Sequence, residues 1–311
     1  MKIVYMGTPE FSVGPLEALL AAGHTVTAAV TQPDRPKGRG GKVQITPVKA
    51  CAQKHGIPVF TPSRIREKEA VETLKGFEAD VYVVAAFGQI LSQEILDLPR
   101  YGCLNIHASL LPKYRGAAPI EWAILNGETE TGVTIMQMDA GVDTGDMLLK
   151  EAVPIGDSET DESLYERLSG LGSRLIAEAL LRLEEGSLTP EKQDGAQSCY
   201  AKMLTKDMGK IDWSRPAACL DRQVRGLYSW PGAFTGYGGK ILKIRAAQAD
   251  PEAPDGEPGT VSRVTKDAIW VNAGEGKLIL KEVQLEGKKR MAVKDFLLGC
   301  KIGKGERFQC L

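Results

Sequence analysis

Asn105 and His107 stand two residues apart in the stretch Gly102 to Ile120, GCLNIHASLLPKYRGAAPI, and further along an Asp-Ala-Gly-Val-Asp-Thr-Gly-Asp segment runs from Asp139 to Asp146. An amide, an imidazole and a carboxylate are thereby available to one pocket. On an extended strand, residues two apart leave from the same face. That spacing suits two groups acting on one substrate atom. His24 follows Gly23 and His55 precedes Gly56 at expected helix ends, where carbonyl acceptors and the helix dipole favour a structural imidazole. His107 instead ends a strand beside a Ser-Leu-Leu-Pro turn. The bland alternative for it is a satisfied core histidine.

The elements that must position these groups are legible as strand–helix alternation. Strands are expected at Lys2 to Met6, Thr25 to Thr31, Asp80 to Phe87, Gly102 to Ser109 and Thr131 to Asp139. Helices are expected at Pro9 to Ala22 and Pro47 to Lys54, and the longest at Glu159 to Glu185, with Ser158 and Asp161 as a capping box and Gly186 as its stop. Such alternation predicts a doubly wound, mostly parallel sheet, whose strand ends receive ligands. The polar stretch Ser187 to Met208 reads as a linker. Beyond it, Lys240 to Ala246, Gly259 to Val264, Ala268 to Ala273 and Lys277 to Gln284 are short β-like runs, as in a small barrel or sandwich.

Composition bounds the rest. With 311 residues, 43% hydrophobic and 25% charged, the chain is an ordinary globular protein with room for two domains. Its longest apolar run, Val81 to Phe87, is too short to span a bilayer, and MKIVYMGTPEF lacks a basic start followed by an extended apolar core, so a cytoplasmic protein is expected. Six cysteines without a Cys-x-x-Cys pair and only three histidines point to neither a zinc site nor a disulfide framework. From Asp207 onward there are 18 Lys and Arg against 13 Asp and Glu, and before it 21 against 27. Any polyanion contact therefore falls most naturally on the C-terminal half, with Arg222, Arg225, Lys240, Lys243 and Arg245 as candidates.

Several motifs are excluded by their residues. Gly7-Thr8-Pro9 ends the first strand without completing Gly-x-Gly-x-x-Gly, which disfavours a nicotinamide cofactor. Gly38 to Lys42 is not a P-loop, since Val43 stands where Ser or Thr is required. What remains in Gln32 to Thr46 is a mobile-looking basic loop carrying Arg35, Lys37, Arg39 and Lys42 against one acid, Asp34. Asp139, Asp143 and Asp146 do not follow the Ca²⁺-loop spacing.

Taken together, NIHASLLPKYRGAAPI and GVTIMQMDAGVDTGD resemble the formyltetrahydrofolate-dependent formyltransferases, whose signature is Asn-x-His, Ser-Leu-Leu-Pro and a downstream Asp. MGTPEF, TQPDRPKGRG, AAFGQIL and IDWS at Ile211 to Ser214 extend the resemblance over nearly the whole chain. It implies a Rossmann-like catalytic domain at 1–186, a linker at 187–208 and a smaller β-barrel, OB-like, tRNA-binding domain at 209–311. It further implies a catalytic trio of Asn105, His107 and Asp143. The donor, 10-formyltetrahydrofolate, would lie along Phe87, Gly88, Gln89, Ile90 and Leu91, along Ser109, Leu110, Leu111 and Pro112, and along Asp139, Ala140, Gly141 and Val142. Arg39, with Arg35, Lys37 and Lys42, would contact the acceptor stem of initiator methionyl-tRNA. A monomer using no metal is expected. In such chemistry, Asn105 and His107 would stabilise an oxyanion, while Asp143 would either orient His107 or hold a proton-carrying water. A small-amine acceptor (glycinamide ribonucleotide or an amino sugar) and a non-catalytic RNA-binding protein stay open as alternatives.

Overall fold

A computed structural model describes residues 1–37 and 42–309. The chain forms two compact units, one of Met1–Pro119, Glu130–Pro154 and Tyr165–Ala201, the other of Ile120–Thr129, Ile155–Leu164 and Lys202–Leu311.

The first unit is built on a seven-stranded sheet in the order Met147–Pro154, Glu130–Gln137, Cys103–His107, Val81–Ala85, Lys2–Gly7, Thr25–Val30, Val59–Phe60. The five strands from Cys103–His107 to Val59–Phe60 are parallel, and the other two are antiparallel. Val81–Ala85 is buried at every position, as expected of a parallel strand covered on both faces. Chain order reverses between Lys2–Gly7 and Val81–Ala85, the kind of switch point where open α/β sheets take ligands.

The expected helix at Pro9 to Ala22 is split into a 3₁₀ turn, Glu10–Ser12, and a helix, Val13–Ala21. The long helix runs Asp161–Glu185 and starts two residues later than its expected capping box. Thr160 and Ser163 form the reciprocal cap, Ser163 N–H to Thr160 Oγ1 at 3.3 Å and Thr160 N–H to Ser163 Oγ at 3.1 Å. Asp161 is buried instead and accepts the Ser229 N–H. At the other end Gly186 stops the helix as expected, its N–H bonding Leu183 O. On this helix a Cβ at Gly172 would lie 2.7 Å from Ile106 Cγ2, so a glycine lets it close on the strand carrying Asn105 and His107. Ile106 alternates with those two residues, which places the helix on the opposite face of the strand.

The second unit holds an antiparallel sheet in the order Ala233–Tyr237, Lys240–Asp250, Lys277–Leu285, Ile269–Asn272, Val261–Val264, with Met291–Ala292 beside Lys277–Leu285. Its core gathers Trp213, Leu220, Ile244, Val271, Leu280 and Phe308. Among the described residues no ladder closes this sheet into the expected barrel; Gly236–Gln309 and Thr260–Arg307 are isolated bridges. The 187–208 stretch carries a two-residue strand, Tyr200–Ala201, paired in parallel with Arg115–Gly116. Among the described residues, no helix is long and apolar enough to cross a membrane.

Candidate active site

Strand Cys103–His107 pairs with Val81–Ala85 on one side and Glu130–Gln137 on the other, which fixes Asn105 and His107 inside the sheet. The hairpin Glu130–Gln137 to Met147–Pro154 returns the loop 138–146 over them. Asn105 Nδ2 lies 3.4 Å from Asp143 Oδ1, and His107 Nδ1 lies 3.7 Å from Asp143 Oδ2. Asn105 is 9% exposed, His107 5% and the Asp143 side chain 16%, so all three meet in a largely water-poor spot. The sequence-derived convergence of an amide, an imidazole and a carboxylate is thus present.

Hydrogen bonding assigns the ring atoms. His107 Nε2 is 2.9 Å from the carbonyl of Tyr114, which can only accept, so Nε2 carries the proton there. Nδ1 is the atom turned toward Asp143, at a separation too long for a direct hydrogen bond. Asp143 Oδ2 is held instead by the Gly116 N–H at 2.8 Å. Tyr114, rather than Asp143, therefore orients the imidazole. Asp143 adopts φ 53°, a left-handed conformation that its short polar side chain tolerates. Beside it Gly145 must be glycine, because a Cβ there would collide with the Gln137 carbonyl.

The other expected site residues fall into distinct settings. Phe87, Gly88, Gln89 and Ile90 line a cleft of about 1000 Å³ at the C-terminal ends of the parallel strands, together with Thr8, Gln32, Arg35, Thr46 and Arg64. Leu91 is buried in the core of the first unit. Ser109 is fully buried, its hydroxyl donating to Lys113 O and its carbonyl accepting from Thr134 Oγ1. Leu111 packs with Met136 and Met147, while Leu110 and Pro112 are half-buried. Asp139, Ala140, Gly141 and Val142 are exposed; Asp139 Oδ1 shapes the loop by accepting from Gly141 N and Thr144 Oγ1. With Asp146 near Lys192 at 3.5 Å, the three loop carboxylates have separate partners and do not form one ion site.

Arg35–Lys37 and Lys42–Gln44 pair as an antiparallel ribbon where the sequence suggested a mobile loop. Arg39 lies outside the described residues. The ribbon's base is pinned by Lys49–Asp34 at 2.6 Å and by the Thr31 and Thr46 hydroxyls at 2.8 Å. In the second unit Arg225 pairs with Asp221 at 2.9 Å and also donates to Glu159 O, and Arg222 donates to Leu125 O. Both are thereby engaged within the fold. Glu17, Cys51 and His55 bring ligand atoms within 4.8 Å of one another. Burial, and then the Glu17 carboxylate, push the Cys51 thiol up, opposite to what a prepared thiolate ligand requires.

Sequence reasoning missed Tyr114, Arg115, Gly116 and Gln193. The first three sit inside the Lys-Tyr-Arg-Gly segment already singled out, but act through a carbonyl, an internal pairing and an amide that residue types do not advertise. Gln193 is one polar residue in a polar stretch.

The Formyl transferase family matches residues 1–180, and the family's C-terminal domain matches residues 203–301. This chain belongs to the formyl transferase family. A methionyl-tRNA formyltransferase of Agathobacter rectalis is 50% identical over 308 residues, covering 99% of each chain. A second, from Geobacter metallireducens, is 52% identical over 307 residues, 99% of this chain and 98% of its own. Among solved structures, WlaRD, a sugar 3N-formyl transferase crystallised with dTDP and 5-N-formyl-THF, superposes with a TM-score of 0.68. At 21% identity, covering 93% of this chain and 99% of that one, it shows the fold alone. The formyl transferase fold therefore spans both units here.

Proposed function

We propose that this chain transfers the formyl group of 10-formyltetrahydrofolate to the α-amine of initiator methionyl-tRNA, giving formylmethionyl-tRNA for translation initiation. The observation that carries the acceptor is identity of about half over essentially the full length of proteins named for that reaction. The observation that carries the chemistry is the meeting of Asn105, His107 and Asp143.

The residues expected to hold the donor fit an aromatic, partly apolar molecule. Ile90 is 59% exposed and Val142 50%, large apolar side chains left uncovered on two of the three expected donor segments. Asp139 to Val142 are exposed, with the Gly141 N–H already donated to Asp139 Oδ1. The acceptor's ester lowers the pKa of its α-amine below the roughly 7.7–8.0 of an ordinary one, so a neutral nucleophile is available. As the amine nitrogen bonds the formyl carbon, the Asn105 Nδ2 amide and the His107 imidazole stabilise the developing oxyanion, about 3 kcal/mol for each such hydrogen-bond donor. Asp143 then serves as the acceptor through which the amine proton passes to the leaving folate nitrogen as that nitrogen's bond to the formyl carbon breaks.

The same reading divides the chain into a catalytic domain at 1–186, a linker at 187–208 and a tRNA-binding domain at 209–311, a division supported by the family matches at 1–180 and 203–301. An OB-like barrel for the last part is supported by Arg307 and Gln309, which bridge toward opposite edges of the sheet. Arg35, Lys37 and Lys42, in the ribbon, would meet acceptor-stem phosphates together with Arg39. We take the protein as a cytoplasmic monomer. Incubation with labelled 10-formyltetrahydrofolate and initiator methionyl-tRNA should yield formylmethionine after hydrolysis of the ester. Recovery of unmodified methionine would overturn the assignment.

A further inference from the structure

Gln193 uses the whole hydrogen-bonding capacity of its carboxamide next to the reacting cluster. Its Nε2 donates to the carbonyls of Asp143, at 2.9 Å, and Gly145, at 2.7 Å. Its Oε1 accepts from Arg115 Nε at 3.0 Å and Nη2 at 2.8 Å. Arg115 is itself only 7% exposed.

These bonds add a second tie between two segments already joined by the Gly116 N–H to Asp143 Oδ2 bond. Tyr114 to Gly116 supplies the carbonyl that holds His107 and the N–H that holds Asp143. The loop carrying Asp143 runs through four exposed residues, Asp139 to Val142, and turns through a left-handed φ at Asp143 itself, so the carboxylate is placed by hydrogen bonds from outside the loop. Gln193 grips the loop backbone on both sides of Thr144 and, through Arg115, ties it to the segment that orients the imidazole.

We propose that Gln193 is a positioning residue of the formyl-transfer site, setting Asp143 against Asn105 and His107 by clamping the Asp143 and Gly145 carbonyls to Arg115. The inference rests on reading that trio as the reacting groups. Catalytic geometry is steep in distance, a misplacement near 1 Å costing on the order of 100-fold, so the clamp should act on turnover more than on binding.

The test compares the full-length wild type with Gln193→Ala and Gln193→Glu. Glutamate keeps the acceptor for Arg115 but loses the donors to the two carbonyls, and so isolates the half of the clamp that faces Asp143. The expected result is a fall in kcat of about 10- to 100-fold in both variants, with KM for 10-formyltetrahydrofolate and for methionyl-tRNA changed by less than about threefold. Independently of activity, the Gly116 amide, bonded to Asp143 Oδ2, should exchange with deuterium about tenfold faster or more in Gln193→Glu while core amides keep their protection. Wild-type kcat in Gln193→Glu, or an unchanged Gly116 exchange rate, would overturn the clamp. Should Gln193→Ala fail to fold, Gln193→Glu carries the test alone. A wild type that transfers no formyl group sinks the functional reading instead, and the exchange measurement still decides whether Gln193 holds Asp143.

Discussion

Asp143 carries the sharpest demand at the scale of single residues. One of its oxygens takes the Gly116 N–H and lies 3.7 Å from His107 Nδ1, and the other faces the Asn105 amide. Asparagine at this position could still accept from Gly116, but its NH₂ would then point at the Asn105 donor and could not take up a proton. Asp143→Asn is therefore expected to lower kcat by about 100-fold or more while leaving the KM for the folate donor nearly unchanged, measured by steady-state formyl transfer. Equal losses in both parameters would mark a binding or folding role. Asn105 and His107 were legible in the sequence because alternate strand residues share a face, and Asp143 was singled out through its resemblance to a family signature. The residues that hold them were not. Tyr114 acts through its carbonyl, Gly116 through its amide and Gln193 through a tertiary contact 50 residues from Asp143, and none of these leaves a mark in residue type or local period.

At the scale of elements, the long helix Asp161–Glu185 offers two glycines with opposite expected behaviour. Gly170 is exposed and a Cβ there would meet nothing within 4 Å, so Gly170→Ala should stabilise the first unit by about 0.5–1 kcal/mol through helix propensity. Gly172→Ala should destabilise despite the same propensity gain, because its Cβ would lie 2.7 Å from Ile106 Cγ2 on the strand bearing Asn105 and His107. Thermal or urea unfolding of the pair checks this, and two shifts of the same sign would refute the packing argument. Gly186 marked the helix's end in the sequence, but its start was misplaced. Ser158 and Asp161 satisfy the capping pattern as letters, yet burial recruits Asp161 to Ser229 and leaves the cap to Thr160 and Ser163. In the second unit, burial raises the carboxyl pKa of Glu121, and the nearby Asp161 adds to it. A raised acid contributes stability that is present below its ordinary value of about 4.3 and lost as pH climbs through the folded value. Glu121→Gln should accordingly raise the thermal midpoint at pH 7–8, with the gain vanishing near pH 4. A gain of the same size at both pH values would show that ionisation is not the cause.

For the whole molecule, the sequence conveyed a doubly wound domain followed by a β-rich one because strand–helix alternation gives way to short β runs. It did not convey that Ile120–Thr129 and Ile155–Leu164 belong to the second compact unit, since such membership depends on tertiary contacts rather than on order along the chain. Nor does the second unit choose the acceptor, as a size argument would have it. A sugar 3N-formyl transferase covers 93% of this chain with the same fold, so a small-amine enzyme can possess both parts. The acceptor assignment stands on identity of about half to full-length methionyl-tRNA formyltransferases. The measurement that tests it most directly supplies 10-formyltetrahydrofolate with initiator methionyl-tRNA, elongator methionyl-tRNA, glycinamide ribonucleotide and a dTDP-amino sugar in parallel, and compares kcat/KM. Transfer to the initiator at least about 100-fold above every other acceptor, a difference of about 2.7 kcal/mol, is the expected result. Turnover on a small amine that equals or exceeds that on the initiator would contradict it.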